Sequence, residues 1–304
     1  MSTKKQRYDA ILESATNDAA SALVTYDRGN NPIIQKEEAI NTLFQSLYAG
    51  FGILHDESAK QELKGYIPLI LITSRDGFYF WYHGEYEENG RTLVERFSEK
   101  YPYSYHYSNL DLNNIDCSDI DSKDTKNYIG FTMDDTMYMV DGNFNRVLYG
   151  TRQDIIRSYP KVSFLQNQDS FEEVRRETII NTITEKMNQY INGYNKIAYR
   201  YGISYQFSVP YYDVDTWART IDDISIVVIF QGYPYGNGIT QTYNQYEISG
   251  ARVSKNKYYY ITQSNGKSLY HRSDCKFYTQ DLIPYDTKRD CALMGAYPCE
   301  DCKP

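Results

Sequence analysis

Apolar side chains recur every three or four residues at the start of the chain. Between residues 4 and 27, Tyr8, Ile11, Leu12, Ala15, Ala19, Ala22, Leu23 and Tyr26 fall on one narrow stripe, the spacing of a helix with a single buried face. The run "DRGNNP" ends it. Ala39, Ile40, Leu43, Phe44, Leu47 and Tyr48 repeat the period, and Gly50 and Gly52 provide a stop, so residues 1–55 predict a helical hairpin.

The period then changes from helical to alternating. "YIPLILITSRDGFYFWYHGEY" holds an apolar run, an Asp76-Gly77 turn and an aromatic run, which predict two antiparallel strands beginning near Pro68. From Glu88 to Asp124 the chain is polar and reads as loop. "NYIGFTMDD", "TMYMVDGN" and "NRVLYG" predict further short strands separated by Asp-rich turns.

A long helical stripe follows. Phe171, Val174, Ile179, Ile183, Met187, Tyr190, Ile191, Tyr194, Ile197, Ala198 and Tyr201 predict a helix of about 45 Å, started by an Asp169-to-Glu172 capping box and stopped by Gly202. "ISIVVIF" is apolar on both parities and predicts a central strand covered on both faces. "QGYPYGNGIT" reads as a turn, because it lacks the glycine spacing and following helix of a phosphate cradle. "YNQYEISGARV" and "NKYYYITQ" add strands, and no internal repeat is evident. The predicted fold is α+β: a body over residues 1–265 and a small module over 266–304. The body divides into the hairpin (1–55), antiparallel strands (56–165), and the long helix with strands (166–265).

Charge narrows the partners. The net charge of -8 repels phosphate backbones and anionic surfaces, which argues against nucleic acid. No window approaches the ~20 consecutive apolar residues of a membrane span. "TKKQR" before an amphipathic helix would suit the junction left by a removed anchor, so any membrane connection is expected only through such an N-terminal segment. Thirty-three tyrosines against 12 phenylalanines suit a half-hydrated aromatic surface of the kind that meets other proteins, although ordinary sheets use tyrosine too.

Reactive chemistry is sparse outside the end of the chain. His55, His83 and His106 sit in no metal or nucleophile motif, and no G-x-S-x-G signature occurs. Asp134-Asp135 and Asp222-Asp223 read as turn or capping residues, since neighbours on a strand point to opposite faces. Cys117 stands alone in the body.

Four of the five cysteines lie in "YHRSDCKFYTQDLIPYDTKRDCALMGAYPCEDCKP". His271 and Cys275 form an X-x3-X pair, and Cys299 and Cys302 form a C-x2-C pair. Two such pairs on tight turns present four nitrogen and sulfur donors to one tetrahedral zinc, a closed shell that is structural rather than hydrolytic. A reduced cysteine cluster or disulfides are the plainer alternative. Cys291, in the predicted "TKRDCALMG" helix, is expected to pack in the module core; a ligand swap or a redox-sensitive thiol are the alternatives.

The words "YHRSDC" and "YDTKRDCALMGAYPCEDCKP" resemble the Ada-type zinc-binding domain, named for the bacterial alkylation-response protein and found in shorter forms on nucleases and surface proteins. The resemblance covers about an eighth of the chain. It implies a small strand-and-helix unit with His271, Cys275, Cys299 and Cys302 as ligands of one structural zinc. It does not imply repair activity: the Ada ligands are all cysteines, and His271 stands where the methyl-accepting thiolate would be. The module's six basic residues also balance its six acidic ones from Gly266 onward.

In the body, "RYDAILESATNDAASAL", "AINTLFQSLYAGFGI" and "YIPLILITSRDGFYFWY" resemble Gram-positive surface proteins with an N-terminal anchor, broadly of the TadE-like pilus-accessory kind. The expected function is therefore a noncatalytic interaction or assembly protein on a bacterial surface, with a cytoplasmic location as the alternative. A DNA-associated protein and a small-molecule sensor are the competing functions.

Overall fold

The computed structural model describes residues 3–26, 32–87, 91–106, 128–134, 136–140, 146–158, 163–210, 223–234, 241–251, 259–264, 266–272, 275–277, 284–285 and 288–300. The fold is α+β, as predicted, and divides into two compact units. The first comprises Met1–Thr25 with Ile33–Arg252, and the second Tyr26–Pro32 with Val253–Pro304.

In the first unit, helices α1 (Thr3–Ala22) and α2 (Lys36–Phe51) form the predicted hairpin. Gly52, at φ 74°, caps α2 in the left-handed region that glycine enters without strain. The first helix stops four residues short of Tyr26. Val24–Tyr26 (β1) instead pairs with Pro32–Ile34 (β2), where the β-branched Val24 and Thr25 suit a strand better than a frayed last turn.

The first unit is organised around a five-stranded sheet in the order β11-β10-β3-β4-β5. Its strands are β3 (Leu69–Ser74), β4 (Gly77–Glu87), β5 (Arg91–Phe97), β10 (Ser225–Pro234) and β11 (Thr242–Gly250), paired antiparallel throughout. The Asp76-Gly77 turn joins β3 to β4 as expected, and β10 is the doubly covered central strand. Side-chain alternation explains the coverage. Leu69, Leu71, Phe78, Phe80, Val227 and Ile229 enter one core with the long helix α5 (Gln168–Asn195). The opposite parity carries Trp81 and Phe230, which meet Phe44 (5.1 Å) and Phe51 (6.0 Å) of α2.

A second, four-stranded sheet, β6-β7-β8-β9, joins the α5 side of that core. It comprises β6 (Tyr103–His106), β7 (Tyr128–Phe131), β8 (Thr136–Val140) and β9 (Arg146–Thr151). Ile129, Phe131, Met137 and Met139 are fully or nearly fully buried against Phe171, Ile179 and Ile183 of α5. Each buried side chain of this size contributes roughly 1.5–3 kcal/mol, whereas solvent screens a surface ion pair such as Arg200–Glu85, so apolar burial sets the layer order.

Several details differ from the sequence expectation. Residues 56–165 carry two helices as well as strands: α3 (Glu57–Gly65), capped by Asp56, whose side chain accepts from Ala59 N–H at 2.9 Å, and α4 (Arg152–Ser158). The polar stretch from Glu88 contains β5 and β6, because edge strands with one wet face need few apolar residues. Residues 88–90 and 107–124 of that stretch lie outside the described residues. Asn167, not Asp169, caps α5, accepting the Asp169 N–H at 2.9 Å. Glu172 is thereby released to bind Arg175 (2.6 Å), a buried guanidinium that also donates to the carbonyls of Thr132 and Met133 and ties α5 to the end of β7. The helix ends at Asn195, and a 3-10 turn over Ala198–Tyr201 carries the chain to Gly202.

Gly130 on β7 faces Tyr138 on β8, and an added Cβ would clash with the hydroxyl end of the phenol ring. Gly130→Ala should therefore cost about 1–3 kcal/mol in urea unfolding, from overpacking of a fitted contact. His83 is buried, stacks on Tyr194 (5.0 Å) and sits edge-on to Trp81 (4.8 Å). Its Nε2–H donates to the Lys64 carbonyl at 3.0 Å, while Nδ1 has no hydrogen-bond partner. Burial outweighs that hydrogen bond and nearby Glu95, and holds the imidazole below its ordinary value of 6.5. The unfolded chain takes the proton first, so His83's contribution is fully present above about 6.5 and is lost as the pH falls through the folded value. Unfolding followed by tryptophan fluorescence should show His83→Gln losing less stability than the native chain between about pH 7.5 and about pH 5.

Candidate metal centre

The second unit holds a four-stranded sheet in the order β14-β12-β13-β15. Strands β12 (Tyr259–Ser264) and β13 (Lys267–Arg272) form an antiparallel hairpin, β14 (Pro284–Tyr285) pairs beside β12, and β15 (Tyr297–Pro298) runs parallel to β13. Helix α6 (Lys288–Leu293) precedes β15. Because β12 pairs with β13, the module begins well before Gly266 and includes a strand that the sequence reading assigned to the body. Gly266 takes a φ of 71° beside the paired ends Ser264 and Lys267, the left-handed conformation that a tight hairpin turn favours.

Strand alternation divides the hairpin's chemistry between its two faces. Tyr259 and Tyr270 turn toward Cys291 and Ala296 and form a small apolar core, with Ile261 and Tyr285 packed against it. The next position along β13 is His271, on the opposite face, with Thr262 beside it across the hairpin. Tyr260 is the cross-strand partner of His271, and Thr262 stands two residues further along β12.

Three of the four predicted ligands converge. The donor atoms of His271, Cys275 and Cys299 all lie within 4.8 Å of one another. All three residues are buried, at 1%, 7% and 2% exposure, which removes bulk water as the competing ligand. His271 Nδ1 and Cys275 Sγ are 3.3 Å apart, close to the edge of about 3.5 Å that a zinc tetrahedron with one nitrogen and one sulfur requires. Backbone pairing delivers Cys299: after the parallel register Tyr270↔Pro298, the Cys299 N–H donates to the Tyr270 carbonyl at 3.1 Å, which sets Cys299 alongside His271. Cys302, the fourth predicted ligand, lies outside the described residues, as does Cys117. Among the described residues, Cys275, Cys291 and Cys299 are not joined to one another by a disulfide.

The other nitrogen of His271 is also engaged. Thr262 Oγ1 and His271 Nε2 share a hydrogen bond of 2.7 Å. The sequence reading missed Thr262; its signal was the Asn-Gly turn, which fixes the register and so the two-residue stagger across the hairpin. The exposed Phe277 ring lies tilted against the imidazole, with ring centroids 5.8 Å apart.

Cys291 is separate from this group. It is fully buried in the apolar core beneath α6, where burial, followed by the charge of Asp290, pushes its thiol up from the ordinary value. A thiol held in that form is a packing group rather than a ligand.

The remaining candidates do not assemble into a site among the described residues. His55 is exposed, His83 is buried in the body, and His106 lies on β6. Asp134 accepts from the Thr132 and Thr136 hydroxyls and pairs with Arg75; these contacts overcome the upward push of burial and hold its carboxyl below the usual range, as befits a turn anchor. Asp135 and Asp222 lie outside the described residues.

A nitrogen and two sulfurs, buried and oriented by strand pairing, form a donor set matched to zinc, copper(I) or iron rather than to calcium or magnesium. No helix among the described residues is long and apolar enough to cross a membrane. No protein-family model, curated protein or solved structure matches the chain.

Proposed function

We propose that the chain is a noncatalytic interaction or assembly protein whose C-terminal module is closed by one structural zinc. His271, Cys275, Cys299 and Cys302 are the ligands, and the observation that carries the assignment is the convergence of the first three in a buried cluster. Four protein ligands leave no position for water or substrate, which favours a structural over a hydrolytic ion. Zinc fits better than copper or iron because a mixed nitrogen and sulfur tetrahedron is its usual structural environment and needs no redox partner.

The module has reason to need an ion. Among the described residues its apolar core is built on Tyr259, Tyr270, Cys291 and Ala296, the last two small, and a metal would add to what such a cluster contributes against the entropy of ordering short strands. Metal binding adds folding free energy on the order of 10 kcal/mol in comparable small sites.

The body supports a binding role through its tyrosines and is proposed to meet a protein partner at a bacterial surface, in keeping with the resemblance of its N-terminal segments to anchored surface proteins. Nucleic acid is a poor fit to a net charge of -8. Fractionation of the native host should recover the protein with the cell envelope, at sites open to external protease. Recovery only from the cytosol would overturn the surface assignment.

Elemental mass spectrometry on the full chain, purified without a metal-affinity step, should find about one zinc per molecule. His271→Ala and Cys302→Ala should each lose most of it, while the far-ultraviolet signal of the body's helices persists. Full zinc in both variants would remove the ligand assignment.

A further inference from the structure

We infer that Thr262 is the positioning residue of the metal centre: its hydroxyl accepts the Nε2–H of His271 and thereby commits Nδ1 to the ion. The inference rests on the zinc reading above and identifies which nitrogen binds and what holds it there.

A neutral imidazole carries one proton, so one ring nitrogen donates and the other offers a lone pair. His271 Nε2 is 2.7 Å from Thr262 Oγ1, too close for an ion that needs about 2.0 Å from each donor to stand between them. His271 Nδ1 lies on the other side of the ring, 3.3 Å from Cys275 Sγ, and faces the cluster that includes Cys299. The two contacts therefore assign opposite roles to the two nitrogens.

Thr262 is suited to this task. It lies on a paired strand, and its β-branched side chain has few rotamers. The hairpin register holds it diagonal to His271, so the hydroxyl is placed by the same backbone ladder that places the ligand. The Nε2–H bond to Thr262 also makes Nδ1 a better donor, as the outer hydrogen bonds of metal-bound histidines commonly do.

The test compares the full chain with Thr262→Val, which keeps the shape and removes the hydroxyl, and Thr262→Ser, which keeps the hydroxyl. Zinc affinity measured by competition with a chromophoric chelator should fall about 10–100-fold in Thr262→Val and recover largely in Thr262→Ser. In the zinc-loaded native chain, long-range proton–nitrogen spectra should show His271 protonated on Nε2 and metal-bound at Nδ1. Native affinity in Thr262→Val, or zinc on Nε2, would overturn the inference. Loss of zinc in His271→Ala but not in Thr262→Val would remove the role of Thr262 alone. Retention of zinc in His271→Ala would instead remove the metal reading beneath it.

Discussion

The first unit depends on one constraint: the strands at the middle of its five-stranded sheet are apolar on both faces. Leu69 through Ile72 on β3 and Ile226 through Phe230 on β10 are all essentially buried, so the sheet must be covered twice. On one side the α1–α2 hairpin supplies the cover, and on the other α5 and the second sheet supply it. Polar groups inside this arrangement are paired accordingly. Thr73 and Ser225 exchange a hydroxyl contact of 2.9 Å across β3 and β10, where an unmet hydroxyl would cost about 1–3 kcal/mol. Arg175 is admitted to the interior because Glu172 and two carbonyls meet its guanidinium.

The C-terminal module obeys a different balance. Its sheet has one small apolar face, built on Tyr259, Tyr270, Cys291 and Ala296, and one face given over to donors. Strand β15 is two residues long, and its pairing to β13 rests on the parallel register Leu269↔Tyr297 and Tyr270↔Pro298 and the bond from Cys299 N–H to the Tyr270 carbonyl. The ion proposed here would join β13 and the residue after β15 directly, through His271 and Cys299. Metal and strand pairing then reinforce each other at the same point of the chain.

Much of this was legible in the residues, for reasons that differ from place to place. Helix α2 and the long helix were readable because every buried position falls on one stripe, from Ala39 to Tyr48 and from Phe171 to Tyr194. The doubly buried β10 was readable because "ISIVVIF" leaves no polar parity. The edge strand β5 was not, because the exposed Glu95 and Arg96, on opposite faces of the strand, interrupt the apolar alternation. Nor was the cap on α5, where Asn167 and Asp169 are both suitable and only the backbone geometry decides between them. At the candidate site, ligand spacing was enough to single out His271, Cys275 and Cys299. Thr262 carries no motif, and becomes visible only through the register of a hairpin.

The tyrosine hydroxyls stitch the body's layers together. Tyr103 donates to the Ser74 carbonyl, Tyr194 to the Gly65 carbonyl and Tyr243 to the Asp9 carboxylate, each at 2.9 Å, and Tyr101 and Tyr190 share a bond of 2.7 Å. Burial raises Tyr103, Tyr194 and Tyr243 well above an ordinary phenol, and Tyr233 to about 12. A spectroscopic consequence follows. In an alkaline titration the phenolate absorbance of these rings is withheld until the layers separate, so the protein carries a native optical gauge of its own opening.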